Sequence, residues 1–331
     1  MKVLVSTAPF GLTNTSPITL LEKAGIDFSM NPFGRKMSED ELAEMIGEYD
    51  CLIAGTESIS RKVLNNATRL KLIARVGIGL DSVDLAQAQK QKIRVTYTPD
   101  APSSAVSELT VALMLSTLRS VHISNNRMHN YHWERFLGRR LSESVIGVIG
   151  IGRIGSRVIE HLSGFKCKRV LGNDTDPLAK SRVPKYVTMV DKEIIYREAD
   201  VITIHVPLTG RTRGMIDRKQ FEMFKNTSIL INTARGGIVV EKALRKALVD
   251  KKIFAAAIDT FENEPYKGSL CGVKQCLLTS HMGSMSEDCR ERMELEATQE
   301  VVRLAKGQSL AQEVPRSEYH SQELLFRRKE G

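Results

Sequence analysis

Apolar residues recur along this chain in two rhythms, and their alternation predicts an α/β protein. Short apolar runs closed by turn formers read as buried strands, and stretches with apolar residues three and four apart read as helices. Strands are expected at Lys2–Ser6, Ile26–Met30, Cys51–Ala54, Leu70–Arg75 and Ile93–Tyr97, with helices between them. Ser16-Pro17 offers an N-cap followed by a proline in the first turn, and Gly25 closes that helix. Ser38-Glu39-Asp40-Glu41 fits a capping box for the next one. A long helical segment is expected from about Ser103 to His122. Further strands follow at Val201–Val206, Ser228–Ala234, Ile253–Ile258 and Leu277–Thr279, with helices at Lys219–Phe224 and Val240–Val249. A last helical stretch, Glu287–Leu304, returns to the first unit, and the tail beyond Gly307 is polar and charged. Strands alternating with helices predict parallel sheets covered on both faces.

Composition narrows the class without naming a function. The 331 residues suit two domains, and 42% hydrophobic with 26% charged is ordinary for a soluble globular protein. No apolar run is long enough to span a membrane, and the start MKVLVSTAPFG reads as a first strand, not a signal peptide. The net charge of +9 is scattered, without aromatic interleaving, so a solvated basic surface is expected and no nucleic-acid partner. Cys51, Cys167, Cys271, Cys276 and Cys289 lack metal-type pairing and read as reduced cytoplasmic thiols. No metal site is expected.

The stretch Val145–Gly155, VIGVIGIGRIG, changes the picture most. An apolar strand runs into a glycine turn and the first turn of a helix, so Gly150, Gly152 and Gly155 form a G-x-G-x-x-G signature in its required context. The first glycine permits the tight turn, the second lets a pyrophosphate approach the backbone, and the third lets helix and strand pack closely. Free N–H groups at the helix start, beside Arg153 and Ile154, attract phosphate charge. Nineteen positions after Gly155, Asp174 follows an apolar pair where a carboxylate can take ribose hydroxyls. A ligand-free glycine turn is the competing reading. The signature lies mid-chain, so a dinucleotide-binding domain over residues 99–285 is expected, inserted into a discontinuous domain of residues 1–98 plus 286–331. Both are expected to be doubly wound, Rossmann-like or flavodoxin-like parallel sheets.

Three strand ends carry ionisable groups. Arg235 follows one strand in NTARGG, carboxylates follow another in DTFENEP, and His281 follows a third in LTSHMG. Carboxyl ends of parallel strands are where ligands bind, so the three groups can converge. Oxidising an alcohol carbon by hydride transfer also requires removal of a proton from its oxygen, which histidine does near neutral pH. A carboxylate on the far ring nitrogen fixes the tautomer, and an arginine grips a substrate carboxylate in a two-pronged bond. In the first domain, Val76, Gly77, Ile78 and Gly79 follow a strand with N–H groups placed to bind an anion such as a carboxylate. His205 either lines the nicotinamide side of the cleft or packs. The expected cofactor contacts further include Val206, Pro207, Thr212, Thr233 and Ala234.

Taken together, VIGVIGIGRIG, NTARGGIVV, DTFENEP and LTSHMGS resemble the D-isomer-specific 2-hydroxyacid dehydrogenases, over about Leu52 to Leu304. The resemblance implies NAD as cofactor, a small 2-hydroxy or 2-keto acid as substrate, and a homodimer. It implies a catalytic trio at Arg235, Glu264 and His281, a substrate loop in RVGIGLDSVD, an NAD-selecting acid at Asp174, and a nicotinamide carboxamide contact at Asp259. Within the family the chain is most similar to the short 3-phosphoglycerate dehydrogenases, which makes 3-phospho-D-glycerate the expected substrate. Glyoxylate or hydroxypyruvate reduction is the alternative, and an NAD-sensing corepressor-like binding protein is the alternative outside enzymes. Trp133-Glu134-Arg135 falls where some of those enzymes set a basic group near the phosphate, but Ala54–Ser58 carries no arginine where some have one. Ser280, Ser284 and Ser103-Ser104 also depart from the family pattern. The length of 331 residues leaves no expectation of the regulatory domain some relatives append.

Overall fold

The structure is a computed structural model that describes residues 1–326. The chain divides into two compact units, Met1–Pro102 with Met285–Gly331, and Ser103–Ser284.

The first unit is built on β1 (Lys2–Val5), β2 (Asp27–Met30), β3 (Cys51–Ala54), β4 (Leu72–Arg75) and β5 (Arg94–Thr96), all parallel in the order β2-β1-β3-β4-β5. Val3, Leu4, Val5, Leu52, Ile53 and Ile73 are fully buried, as a parallel sheet covered on both faces requires. Each such side chain contributes about 1.5–3 kcal/mol of burial. The helix Glu39–Met45 opens with the expected box: Glu41 N donates to Ser38 Oγ at 3.3 Å, and Ser38 N donates to Glu41 Oε2 at 2.8 Å. Arg35 binds the same carboxylate and holds it at about 2.

The first helix departs from expectation. It spans Ser16–Lys23, so Ser16 lies inside it, and the cap position Thr15 makes no side-chain bond. Pro17 in the first turn has no N–H to offer a cap. Asn14 Oδ1 instead accepts from Ser16 N at 2.8 Å and Ser16 Oγ at 2.6 Å. The tail also holds more structure than its composition suggests. Thr96 and Glu313 form an antiparallel bridge on the outer edge of β5, and a helix follows at Arg316–Phe326.

The second unit carries β6 (Val145–Ile149), β7 (Arg169–Asn173), β8 (Val187–Met189), β9 (Val201–Ile204), β10 (Ile229–Asn232), β11 (Ala255–Ile258) and β12 (Cys276–Leu278). Their order is β12-β11-β10-β9-β6-β7-β8, again all parallel. The order reverses between β6 and β9, the point at which such sheets open a ligand crevice. The segment expected as one helix to His122 is two, Ser103–Leu118 and Val121–His129. The break is made by a residue distant in sequence. Arg139 N donates to the Leu118 carbonyl at 3.2 Å, and Ser120 turns left-handed at φ 51. Among the described residues, no helix is long and apolar enough to cross a membrane.

Candidate active site

The glycine turn is as tight as its sequence demands. Gly150 has φ +93, and a Cβ there would lie 2.5 Å from the His205 carbonyl oxygen. A Cβ on Gly155 would lie 2.0 Å from the Gly150 carbonyl, so the helix Arg153–Leu162 packs on the turn only because that position has no side chain. Gly152 caps this helix, and a Cβ there would meet nothing within 4 Å. A helix start leaves its first N–H groups without intrahelical partners and carries a partial positive charge. The open space above Gly152 therefore fits an anionic phosphate held by the first turn around Arg153 and Ile154. Asp174, at the end of β7, accepts from Ile151 N at 2.6 Å and from Asp176 N at 2.8 Å. It braces the turn, and its remaining lone pairs suit ribose hydroxyls.

At the end of β9, His205 Nε2 pairs with Thr203 Oγ1 at 2.9 Å, while its buried Nδ1 has no partner. Burial pushes this imidazole down to about 3, so it stays neutral. Val206 packs against the same turn, since a Cβ on Gly150 would come 2.8 Å from its Cγ1. Two of the expected contact side chains serve the protein itself. Thr212 Oγ1 donates to Pro207 O at 2.6 Å and accepts from Thr209 N at 2.7 Å, closing its own loop. Thr233 Oγ1 pairs with Thr110 Oγ1 at 2.8 Å, and Ala234 lies in the core cluster.

The ends of β10, β11 and β12 are neighbours in the sheet, so topology brings the Arg235, Glu264 and His281 loops side by side. His281 Nδ1 and Glu264 Oε2 are 2.8 Å apart, with both side chains about a quarter to a third exposed (31% and 24%). Glu264 Oε1 accepts from Phe261 N at 2.9 Å, which fixes the carboxylate. Gly236 lets the arginine loop press on the glutamate loop: a Cβ there would lie 2.0 Å from the Phe261 carbonyl. Arg235 itself donates from Nη1 to Ala234 O at 2.7 Å.

Asp259 is 1% exposed and its carboxylate is well occupied. It accepts from Thr279 Oγ1 at 2.6 Å, Met282 N at 2.9 Å and Gly283 N at 2.9 Å, and its carbonyl accepts from His281 N at 2.8 Å. Asp259 thus anchors the histidine loop and holds His281 in its left-handed conformation (φ 53). The family resemblance implied a cofactor contact for Asp259 and did not reveal this anchoring, because the donors lie some twenty residues on.

In the first unit, the loop after β4 differs from expectation in two amides. Val76 N donates to Ala54 O at 2.8 Å. Gly77 N donates to Thr98 Oγ1 at 2.9 Å, so this N–H is already used. Among the described residues, the Ile78 and Gly79 N–H groups have no hydrogen-bond partner, which leaves them free to bind an anion. Buried Arg75 lies beneath, with its Nη1 3.4 Å from where a Gly77 Cβ would stand. Beside it, at the end of β3, Glu57 is 1% exposed and accepts from Gly55 N at 2.8 Å and from the Ser6 hydroxyl.

Comparison with known proteins agrees with this geometry. Residues 111–283 match the family model of the D-isomer specific 2-hydroxyacid dehydrogenase, NAD binding domain. Over 280 residues the chain is 35% identical to the D-3-phosphoglycerate dehydrogenase of Methanocaldococcus jannaschii, an alignment covering 82% of this chain and 53% of that one. The chain thus spans about half the length of that relative. It is 34% identical over 279 residues to the glyoxylate reductase of Thermococcus litoralis, covering 81% of this chain and 84% of that one. Its fold matches the apo structure of D-lactate dehydrogenase from Escherichia coli with a TM-score of 0.81 and 26% identity, over 95% of this chain and 100% of that one.

Proposed function

The chain belongs to the D-isomer specific 2-hydroxyacid dehydrogenases, and on that premise we propose that it interconverts a D-2-hydroxy acid and its 2-keto acid with NAD as cofactor. The observation that carries this is the His281–Glu264 pair at 2.8 Å on strand ends adjoining the Arg235 loop. NAD, when bound, supplies or accepts the hydride. Glu264 accepts the Nδ1 proton of His281, which leaves Nε2 for the substrate oxygen. Nε2 takes the hydroxyl proton in oxidation and returns it to the carbonyl in reduction. Glu264 also stabilises the imidazolium that forms. Arg235 grips the substrate carboxylate through two N–H groups and polarises the carbonyl. In the first unit, the free Ile78 and Gly79 amides are suited to take a carboxylate.

For the substrate side group, Glu57 favours a small uncharged one, as in glyoxylate or hydroxypyruvate, over 3-phospho-D-glycerate. β3 and β4 are neighbours, and adjacent strands lie about 4.8 Å apart. A phosphate on an acid held at Ile78–Gly79 would sit within about a Debye length of a buried carboxylate, where salt screens poorly. We place the enzyme in the cytoplasm, in keeping with its free cysteines. We also propose a homodimer, supported by the exposed apolar stretch with Tyr131 99%, Trp133 82% and Leu137 98% accessible.

The test is NADH oxidation with glyoxylate, hydroxypyruvate and phosphohydroxypyruvate under equal conditions. Rapid turnover of the first two is expected, with His281→Asn lowering kcat by about 100-fold or more while NADH binding stays within about twofold. Glu57→Gln should raise kcat/KM for the phosphorylated acid relative to hydroxypyruvate. NADH binding with no turnover of any acid would favour a corepressor-like binding protein, and unchanged turnover in His281→Asn would remove that residue as the base.

A further inference from the structure

The C-terminal helix Arg316–Phe326 hydrogen-bonds the substrate loop through Gln322, and Tyr319 of the same helix packs on the core cluster that includes Leu80 and Val83. Gln322 Nε2 donates to Leu80 O at 3.0 Å and to Val83 O at 2.8 Å, and its Oε1 accepts from Leu85 N at 2.8 Å. These three bonds use both amide hydrogens and the amide oxygen. They span Leu80–Leu85, which begins one residue after the unpartnered Ile78 and Gly79 amides.

The loop is otherwise held from the opposite side. Ile59 N donates to Ser82 O at 2.7 Å, Asp84 N donates to Ile59 O at 2.9 Å, and Gly77 N is fixed by Thr98. Within the loop, Val83 N donates to Leu80 O at 3.1 Å. The helix bearing Gln322 is itself tied down. Val314 N donates to Val95 O at 2.9 Å, Tyr97 N donates to Gln312 O at 3.1 Å, and Glu313 pairs with both Arg94 Nε (2.9 Å) and Nη2 (3.1 Å). Val314 is in the core cluster of this unit, and Tyr319 packs against it.

We propose that Gln322 is a positioning residue: the C-terminal helix is a strap that fixes Leu80–Leu85, and through it the Ile78–Gly79 amides that receive the keto-acid carboxylate. The proposal rests on the dehydrogenase reading for its kinetic arm alone. A donor pair displaced by an ångström loses much of its hold on a carboxylate, whereas the hydride and proton groups stand on the other unit and are untouched. Loss of the strap therefore acts on substrate affinity and spares both chemistry and NADH.

The experiment compares the full chain with Gln322→Leu, which keeps the size and removes all three bonds, and with Gln322→Glu, which keeps only the acceptor for Leu85 N. Two quantities are read. In Gln322→Leu, hydrogen exchange at residues 78–85 should speed up about tenfold or more, and KM for hydroxypyruvate should rise about tenfold with kcat within about threefold and NADH affinity unchanged. Gln322→Glu should fall between. A general loss of stability would lower active enzyme and protection everywhere, not KM alone. Unchanged exchange at 78–85, or unchanged KM, overturns the strap. If the unaltered chain reduces no keto acid, the proposed activity fails, and exchange alone then decides whether Gln322 holds the loop.

Discussion

At the residue scale, the glycine turn and its neighbours show how one position sets the state of another. His205 is packed beneath the turn with an unpartnered Nδ1, and burial holds it at about 3. In the unfolded chain its pKa is about 6.5. The folded state therefore refuses a proton that the unfolded state accepts once the pH falls below about 6.5, and stability is lost progressively from there toward pH 3. His205→Asn removes this group, so its Tm should fall less steeply than that of the unaltered chain between about pH 7 and pH 5. Parallel slopes would mean that His205 titrates normally in the fold. Asp174 gives a second residue-scale outcome. Its carboxylate braces Ile151 and keeps lone pairs that suit ribose hydroxyls, so Asp174→Ala should weaken NADH binding and relax selection against NADPH, read as the ratio of the two affinities. These two residues differed in legibility. Asp174 follows from its distance after the glycines, whereas the state of His205 depends on what covers it.

At the element scale, the strand ends carry the chemistry and the glycines set the packing. Gly155→Ala places a methyl 2.0 Å from the Gly150 carbonyl, so the helix Arg153–Leu162 must move off β6. NADH affinity should fall by about tenfold or more, checked by fluorescence titration, while the β1–β5 sheet of the other unit keeps its fold. An alanine variant with normal affinity would mean that the helix start does not hold the pyrophosphate. The strands were legible because apolar runs bounded by turn formers have few other solutions. Their ends were not: the run expected at Leu70–Arg75 pairs only over Leu72–Arg75, and Val201–Val206 only over Val201–Ile204. Apolar residues continue past the last ladder bond because loops at strand ends are buried too. The break at Ser120 was hidden for a related reason, since the group that captures Leu118 O comes from Arg139, beyond the range of any local pattern.

At the scale of the whole molecule, the proposed homodimer draws its support from the exposed stretch at Tyr131, Trp133 and Leu137. Trp133→Asp should turn a dimer into a monomer, measured by sedimentation velocity, with little change in the Tm of dilute protein. A monomer in the unaltered chain would sink the dimer. The sequence by itself determined the parallel α/β architecture and the glycine turn, because each is written in neighbouring residues with a fixed physical meaning; the choice of Glu264 among the carboxylates of DTFENEP came from the family resemblance, and the structure pairs it with His281. Tertiary structure alone decided that Thr98 takes the Gly77 amide, that Asp259 anchors the histidine loop and that Gln322 straps Leu80–Leu85. Each of these joins residues about twenty to more than two hundred positions apart, where a donor and an acceptor meet only after the sheet has set their places.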